Sequence, residues 1–123
     1  MNKEVTYPVA KLLREKGYDL PCGYFYGEDG ELIQAAYFRN HNEASVTVWS
    51  APTIADAVMW LYEKHKIWVN APFDDGCLLF YYVVNTRCDK LYANRFTNLQ
   101  TRFKTPDEAY NAAIEFALQY AKI

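Results

Sequence analysis

The run "CLLFYYVV" at residues 77–84 decides the fold, because it is continuously apolar rather than alternating. Such a run predicts a strand covered on both faces, or covered by a helix on one side and by aromatic rings on the other. We expect it to be the central strand of a sheet. Asp75-Gly76 predicts a hairpin with the preceding "IWVNAPF", and "LYANRFTNL" predicts a further strand on the other side.

One helix is predicted before these strands in the sequence and another after them. In "TPDEAYNAAIEFALQYAKI", Thr105 and Glu108 form a capping box, and Pro106 suits the first helical position. The apolar residues of this helix form one wide face, so we expect it to be covered by its own sheet or by a second copy. In "APTIADAVMWLYEKHK", Thr53 predicts the cap of a helix that ends near His65. We expect Trp60 to be wedged between that helix and the sheet.

The first half of the chain predicts a similar order. "YPVAKLLREKG" predicts a short helix ended by Gly17, and "YFYGEDGELIQAAYF" predicts a hairpin at Asp29-Gly30. "SVTVW" predicts a short strand. The whole chain, residues 1–123, therefore predicts one α+β domain of order α-β-β-(β)-α-β-β-β-α. We expect an antiparallel or mixed sheet with helices packed mainly on one face. "LREKGYDL" and "LYEKHKIW" form a faint repeat, since each precedes an Asp-Gly turn at nearly the same interval.

Composition excludes several classes of protein. The net charge of −2 gives no global attraction to nucleic acid or to an anionic membrane, and 17% aromatic residues favour a packed core. Cys22, Cys77 and Cys88 are widely spaced and odd in number, which predicts reduced, mostly buried thiols. The amino end lacks the apolar segment of a signal peptide, and no later stretch reaches the length of a spanning helix. We expect a cytoplasmic protein without a membrane partner.

The sequence predicts no enzyme, cofactor or metal. Glycine-rich phosphate-binding motifs are absent, and turns explain the acidic groups "GEDGE" and "FDDG". His41 and His65 stand in polar segments that predict exposed side chains. A pairing of His65 with Cys77 or Cys88 is the remaining catalytic hypothesis, and structural roles for the thiols are favoured over it.

The segment from Arg87 to Lys104 carries five cations against Asp89 alone, with aromatic residues between them. This composition is typical of surfaces that follow a phosphate backbone and stack bases, and the order helix, three strands, helix echoes the double-stranded RNA-binding fold. However, the final helix opens with Asp107 and Glu108, which would repel phosphate, and cations also guard sheet edges. The outside of a sheet is therefore favoured. The candidate nucleic-acid residues are Arg87, Lys90, Tyr92, Arg95, Phe96, Arg102 and Lys104.

The tyrosine-rich strands "YFY" and "FYY" predict an exposed aromatic face, which would be an association surface. The candidate interaction residues are Tyr24, Tyr26, Tyr81, Tyr110, Phe116 and Tyr120. The favoured hypothesis is a non-enzymatic interaction or accessory module that self-associates or binds a protein partner. The alternative is a nucleic-acid-binding protein that uses residues 87–104.

Three segments, "AKLLREKGYDLPCGYFY", "SAPTIADAVMWLYEKH" and "FKTPDEAYNAAIEFAL", carry a resemblance that covers most of the chain. Their Lys-Leu-Leu-x-Glu-Lys-Gly helix end, Ala-Pro-Thr helix start and Glu-Ala-x-x-Ala-Ala-Ile-Glu helix are not chemical motifs. The chain resembles small proteins, without assigned activity, of Bacteroides-type gut bacteria and their phages or mobile elements. The resemblance implies a cytoplasmic protein, in some cases carried on a mobile element, and it supplies no site residue.

Overall fold

The computed structural model describes residues 3–89 and 94–120, except the side chains of Leu99 and Tyr120, and its strands form two antiparallel sheets. The α+β prediction and its rough order are confirmed, with a one-turn helix added before the short strand. The elements are α1 (Tyr7–Glu15), β1 (Cys22–Tyr26), β2 (Leu32–Arg39), α2 (His41–Ala44), β3 (Trp49–Ser50), α3 (Ile54–His65), β4 (Trp68–Asn70), β5 (Phe73–Asp74), β6 (Leu79–Thr86), β7 (Asn94–Phe103) and α4 (Pro106–Tyr120).

The second sheet is built around β6, as the apolar run predicted. Strands β4 and β5 pair with one side of β6, and β7 pairs with the other. The two short strands share one register, since Val69 lies opposite Val84 and Phe73 lies opposite Phe80. They are separated at Pro72, which has no N–H to donate to a ladder. The Asp75-Gly76 hairpin is also confirmed, because it joins β5 to β6.

Helix α4 covers one face of the second sheet from within the same chain. Its residues Ile114 and Leu118 are fully buried, and it also packs against α1 and α3. The predicted cap is present, because the N–H of Glu108 donates to Thr105 Oγ1 at 3.2 Å. The broad apolar face of this helix is therefore explained by its own sheet and by neighbouring helices.

The ends of α1 and α3 follow the predicted signals. The N–H of Asp56 donates to Thr53 Oγ1 at 3.2 Å, which caps α3. Gly17 (φ 91°) follows α1 and Lys66 (φ 55°) follows α3, so both helices end in a left-handed residue. Trp60 is buried, and its ring packs on that of Tyr18 after α1, with 5.2 Å between centroids, and on that of His65 at the end of α3, with 4.9 Å between centroids.

In the first sheet, β1 lies between β2 and β3. The predicted hairpin is confirmed: β1 pairs with β2 across the turn that contains Asp29-Gly30. The short strand predicted in "SVTVW" is the two-residue β3. Within the described ranges, no helix is long and apolar enough to cross a membrane.

The predictions about the burial of the cysteines and of His41 are wrong. Cys22 is buried, but Cys77 and Cys88 are exposed, because they lie in the turn after β5 and in the turn after β6. His41 was predicted to be exposed and is buried, since its Nε2 donates to the carbonyl of Cys22 at 2.9 Å and its ring packs 4.9 Å from that of Phe25.

Candidate protein-interaction surface

In the described part of the basic segment, aromatic rings lie near the cations and are partly buried. Arg95 is exposed and borders a depression of about 590 Å³ along β7. Its neighbour Phe96 is half-buried and turns its ring inward, 5.6 Å from the ring of Phe116. Arg102 lies over the ring of Tyr81, with its Cζ atom 5.6 Å from the ring centroid. Phe96, one of the two rings predicted to stack beside the arginines, thus packs within the protein and also borders the depression; the other ring, Tyr92, lies outside the described residues.

Arg102 also contacts Asp74, with 3.5 Å between Nη2 and Oδ2. The pKa of Asp74 is lowered first by the N–H of Gly76, which donates to its carboxylate at 2.9 Å, and further by Arg102. Of the other predicted nucleic-acid residues, Arg87 and Lys104 are exposed, directly after β6 and directly after β7. Lys90 and Tyr92 lie outside the described residues.

The predicted tyrosine residues do not form one surface. Tyr26 is buried, so its prediction is wrong: its hydroxyl donates to the carbonyl of Val5 at 2.6 Å and its ring packs on Tyr7. Tyr24 is half-buried against the same core. The ring of Tyr81 is covered by Arg102. The side chain of Tyr120 is outside the described part of the structure.

The remaining two members of that set lie on α4. The hydroxyl of Tyr110 donates to Asn70 Oδ1 at 3.4 Å, which ties the helix to β4. Phe116 is half-buried, and its ring centroid lies 5.9 Å from that of Tyr82. Both side chains therefore serve the packing of α4 on the second sheet.

The most exposed aromatic side chains lie instead on β2. Tyr37 is 78% exposed and Phe38 is 72% exposed, and both were missing from the predicted site. Strand β2 pairs only with β1 among the described residues, so its other side is a free edge. We call this side of residues 32–39 the β2 edge. The available signal was the uncharged run "LIQAAYF", since such a run on a sheet edge can pair with another strand.

A β-bulge separates part of the β2 edge from β1. Tyr24 lies opposite Gln34 and Cys22 lies opposite Arg39, so two steps along β1 correspond to five along β2. Between these pairs, residues 35–38 of β2 and Gly23 of β1 have no assigned partner, so β2 has three residues more than β1. On the side of β2 that faces away from β1, the backbone N–H and C=O groups face no strand among the described residues and can pair with another strand.

A surface cavity of about 380 Å³ lies beside the β2 edge. Its walls are mostly apolar, and Tyr37 and Arg39 contribute to one side of it. Its full lining is Phe25, Ile33, Gln34, Ala35, Ala36, Tyr37, Arg39, His41, Ala44 and Val48. A cavity with one cationic group on its border suits an apolar or aromatic side chain from a bound strand.

Hydrogen bonds fix the wall of this cavity that α2 supplies. The N–H groups of His41 and Asn42 both donate to Ser50 Oγ, at 3.0 and 3.2 Å. The N–H of Ser50 in turn donates to Asn42 Oδ1 at 2.9 Å. Arg14 donates from Nη1 to the carbonyls of Ser45 and Val48, which fastens the loop before β3 to α1. The surface beside β2 is thus held in place by its neighbours.

Among the residues that the structure describes, no hydrogen bond joins a cysteine thiol to a histidine ring. Burial raises the pKa of Cys22 to about 11, so this thiol is protonated at neutral pH. The Sγ of Cys88 donates to the carbonyl of Asn85 at 3.3 Å, whereas the ring of His65 packs against Trp60. In the part of the chain that the structure describes, no three His, Cys, Asp or Glu side chains are grouped to hold a metal ion.

Comparison of the chain with protein-family models, curated proteins and solved structures finds no match. The resemblance to proteins of gut bacteria and mobile elements therefore stays a prediction. A function has to be inferred from the geometry of the surface itself.

Proposed function

We propose that this chain is a non-enzymatic protein-interaction module that binds a strand of its partner along the β2 edge. The observation that carries this proposal is the exposure of Tyr37 and Phe38, at 78% and 72%, on an edge strand. Large aromatic side chains lose little conformational entropy on binding and bury much area, so they are frequent anchors of protein interfaces. Their display in a folded chain is costly unless a partner covers them.

Strand addition accounts for the other features of this edge. A bound strand would pair with the backbone groups of β2 that face away from β1 and have no partner strand among the described residues. The adjacent cavity would accept one of its side chains, since main-chain hydrogen bonds give affinity in this mode and side-chain pockets give specificity. We place the module in the cytoplasm, where reducing conditions keep cysteines such as Cys77 and Cys88 free.

The nucleic-acid alternative has less support. It requires Arg95 and Arg102 to project beside Phe96 or Tyr92. Phe96 packs against Phe116, Arg102 is engaged by Asp74 and Tyr81, and Tyr92 lies outside the described residues. The acidic residues Asp107 and Glu108 open α4, where a bound phosphate would require a positive field. The described geometry thus favours protein over nucleic acid as the ligand.

Photo-crosslinking tests the proposal because it captures a partner of any identity. Tyr37 is replaced by a benzophenone-bearing phenylalanine derivative in cells that produce the protein, and adducts are separated by mass after irradiation. Val46, which is 83% exposed but outside the β2 edge, receives the same replacement as a matched control. We expect discrete protein adducts at position 37 and none, or far weaker ones, at position 46. Equal adduct patterns at the two positions, or none at position 37, would contradict a binding role for this edge.

A further inference from the structure

We infer that the occupant of the β2 edge is a second copy of this chain, paired antiparallel through β2 around a two-fold axis at Ala35. This inference depends on the proposed function, since it names the partner of the same edge. Its basis is that the sequence of residues 31–39, which are β2 and the residue before it, is complementary to itself when read in the opposite direction.

The complementarity includes charge at both ends of the strand. In the two-fold arrangement, Ala35 lies opposite its own copy, and Glu31 of each chain lies opposite Arg39 of the other. Both side chains are exposed, and neither has a hydrogen-bond or ion-pair partner among the described residues. Opposite charges directly across an antiparallel pair stabilise it, whereas like charges destabilise it. One strand thus carries two complementary end charges, which makes a two-fold partner electrostatically favourable at both ends.

The side chains between the charges also match. Ile33 would lie opposite Tyr37, which is the favourable β-branched and aromatic pair of antiparallel sheets. On the other face, Leu32 would lie opposite Phe38, so that two exposed apolar side chains cover each other. The small residues at the centre, Ala35 and Ala36, allow the two backbones to approach closely.

The residues that this pairing would bring together lie beside the cavity. Ile33, Ala35, Tyr37 and Arg39 border it, together with Gln34 and Ala36. The bulge lies between β2 and β1, whereas the proposed pairing uses the opposite side of β2. An eight-residue strand pair buries a small interface, so we expect a weak, concentration-dependent dimer rather than a permanent one.

Charge exchange between positions 31 and 39 tests the arrangement. Sedimentation velocity over about 5 to about 200 µM gives the dissociation constant of the unmodified chain and of each variant. Glu31→Arg places two like charges opposite each other at both ends of the strand pair, and so does Arg39→Glu. We expect each single change to weaken dimerisation by ~10-fold or more. The double variant Glu31→Arg/Arg39→Glu restores opposite charges and should dimerise like the unmodified chain.

The decisive sample is an equimolar mixture of the two single variants. One chain then carries arginine at both positions and the other carries glutamate at both, so the mixed dimer has attractive pairs at both ends. We expect a heterodimer stronger than either homodimer. The matched controls are Glu63→Arg and Lys64→Glu, exposed positions on α3 that make the same charge changes away from the β2 edge. They should leave the dissociation constant unchanged, and circular dichroism checks that every variant is folded.

A monomer at all concentrations, or single variants that dimerise normally, would overturn the inference. So would a mixture that associates no better than its components. Such a result is distinguishable from failure of the proposed function, because crosslinking at position 37 would then give adducts with a mass other than twice that of the chain. Absence of any adduct at position 37 would contradict both the proposed function and the dimer.

Discussion

The two β-hairpins of this chain, β1–β2 and β6–β7, have the same irregularity at the same place. In the first, the two steps from Cys22 to Tyr24 correspond to five on β2. In the second, the two steps from Phe80 to Tyr82 correspond to five on β7, from Asn98 to Phe103. Each bulge therefore adds three residues to the outer strand, near the start of the inner one.

The two bulges differ in the side chains that they carry. In β7, Asn98 Oδ1 accepts from the N–H groups of Gln100 and Thr101, at 3.0 and 3.2 Å, so polar groups close the bulge locally. In β2, the bulge carries Tyr37 and Phe38, which are exposed. Helix α4 packs on one face of the second hairpin, and both hairpins leave the outer edge of their outer strand unpaired among the described residues. The same backbone irregularity thus occurs in both hairpins. The side chains that the bulge carries decide whether it can bind a partner.

A cavity in α4, the helix that packs on the second hairpin, should have the largest effect on stability. Leu118→Ala deletes a fully buried side chain of α4, and we expect the free energy of unfolding to fall by roughly 3 kcal/mol. Urea denaturation followed by circular dichroism measures this change. Val46→Ala, at an exposed position near the first hairpin, should change stability by less than about 0.5 kcal/mol. Similar losses at the two positions would mean that the covered and open regions do not differ in packing.

Matched phenylalanine substitutions should sharpen the comparison. Phe96→Ser removes a ring that packs on Phe116, and we expect a loss of about 2 kcal/mol in the free energy of unfolding. Phe38→Ser removes a ring from the open β2 edge and should cost less than about 0.5 kcal/mol in dilute solution. For dimerisation we expect the opposite order: Phe38→Ser should weaken it more than Phe96→Ser, because only Phe38 lies at the proposed dimer contact. Urea denaturation at low protein concentration measures the effect on stability, and sedimentation at high concentration measures the effect on dimerisation. If Phe96→Ser had the larger effect in both measurements, the placement of Phe38 at the dimer contact would be contradicted.

The second sheet was largely predictable because each of its elements carries a local signal. The Asp75-Gly76 turn, the continuous apolar run of β6 and the Thr105 capping box each specify structure within a few residues. Pairing of neighbouring strands in sequence then leaves few arrangements of the sheet. The burial of α4 followed from its broad apolar face.

The β2 edge could not be predicted, because its exposure depends on strand order and on the position of a bulge. An uncharged run such as "LIQAAYF" is equally consistent with a buried central strand. The central strand of the first sheet is β1, because it pairs with β3 as well as with β2. This strand order is decided by contacts between residues distant in sequence. Tyr26 shows the converse error, because a tyrosine can bury its ring when a backbone carbonyl, here that of Val5, accepts from its hydroxyl. Composition alone does not distinguish the two outcomes.

The smallest expected effect concerns His65, which ends α3 at the position that Gly17 occupies in the first copy of the faint repeat. Burial lowers the pKa of His65 below its ordinary value of about 6.5, and Lys64 lowers it further. The Nε2 atom of this ring is buried without a hydrogen-bond partner among the described residues, so the folded state favours the neutral imidazole. The unfolded chain therefore binds the proton more readily. The stability contributed by neutral His65 is present above about pH 6.5 and is lost as the pH falls through the lower pKa of the folded state.

His65→Asn should remove this contribution and leave that of the other titrating groups. We expect the difference in the free energy of unfolding between the two proteins to change between about pH 7.5 and about pH 5.5, with the unmodified chain losing more stability on acidification. Urea denaturation across this range measures the difference. Lys64→Gln should reduce the effect only slightly, because burial is the larger cause of the lowered pKa. If the stability of the unmodified chain and that of His65→Asn change with pH in parallel, the imidazole of His65 has the same pKa in the folded and the unfolded state, which would contradict the prediction.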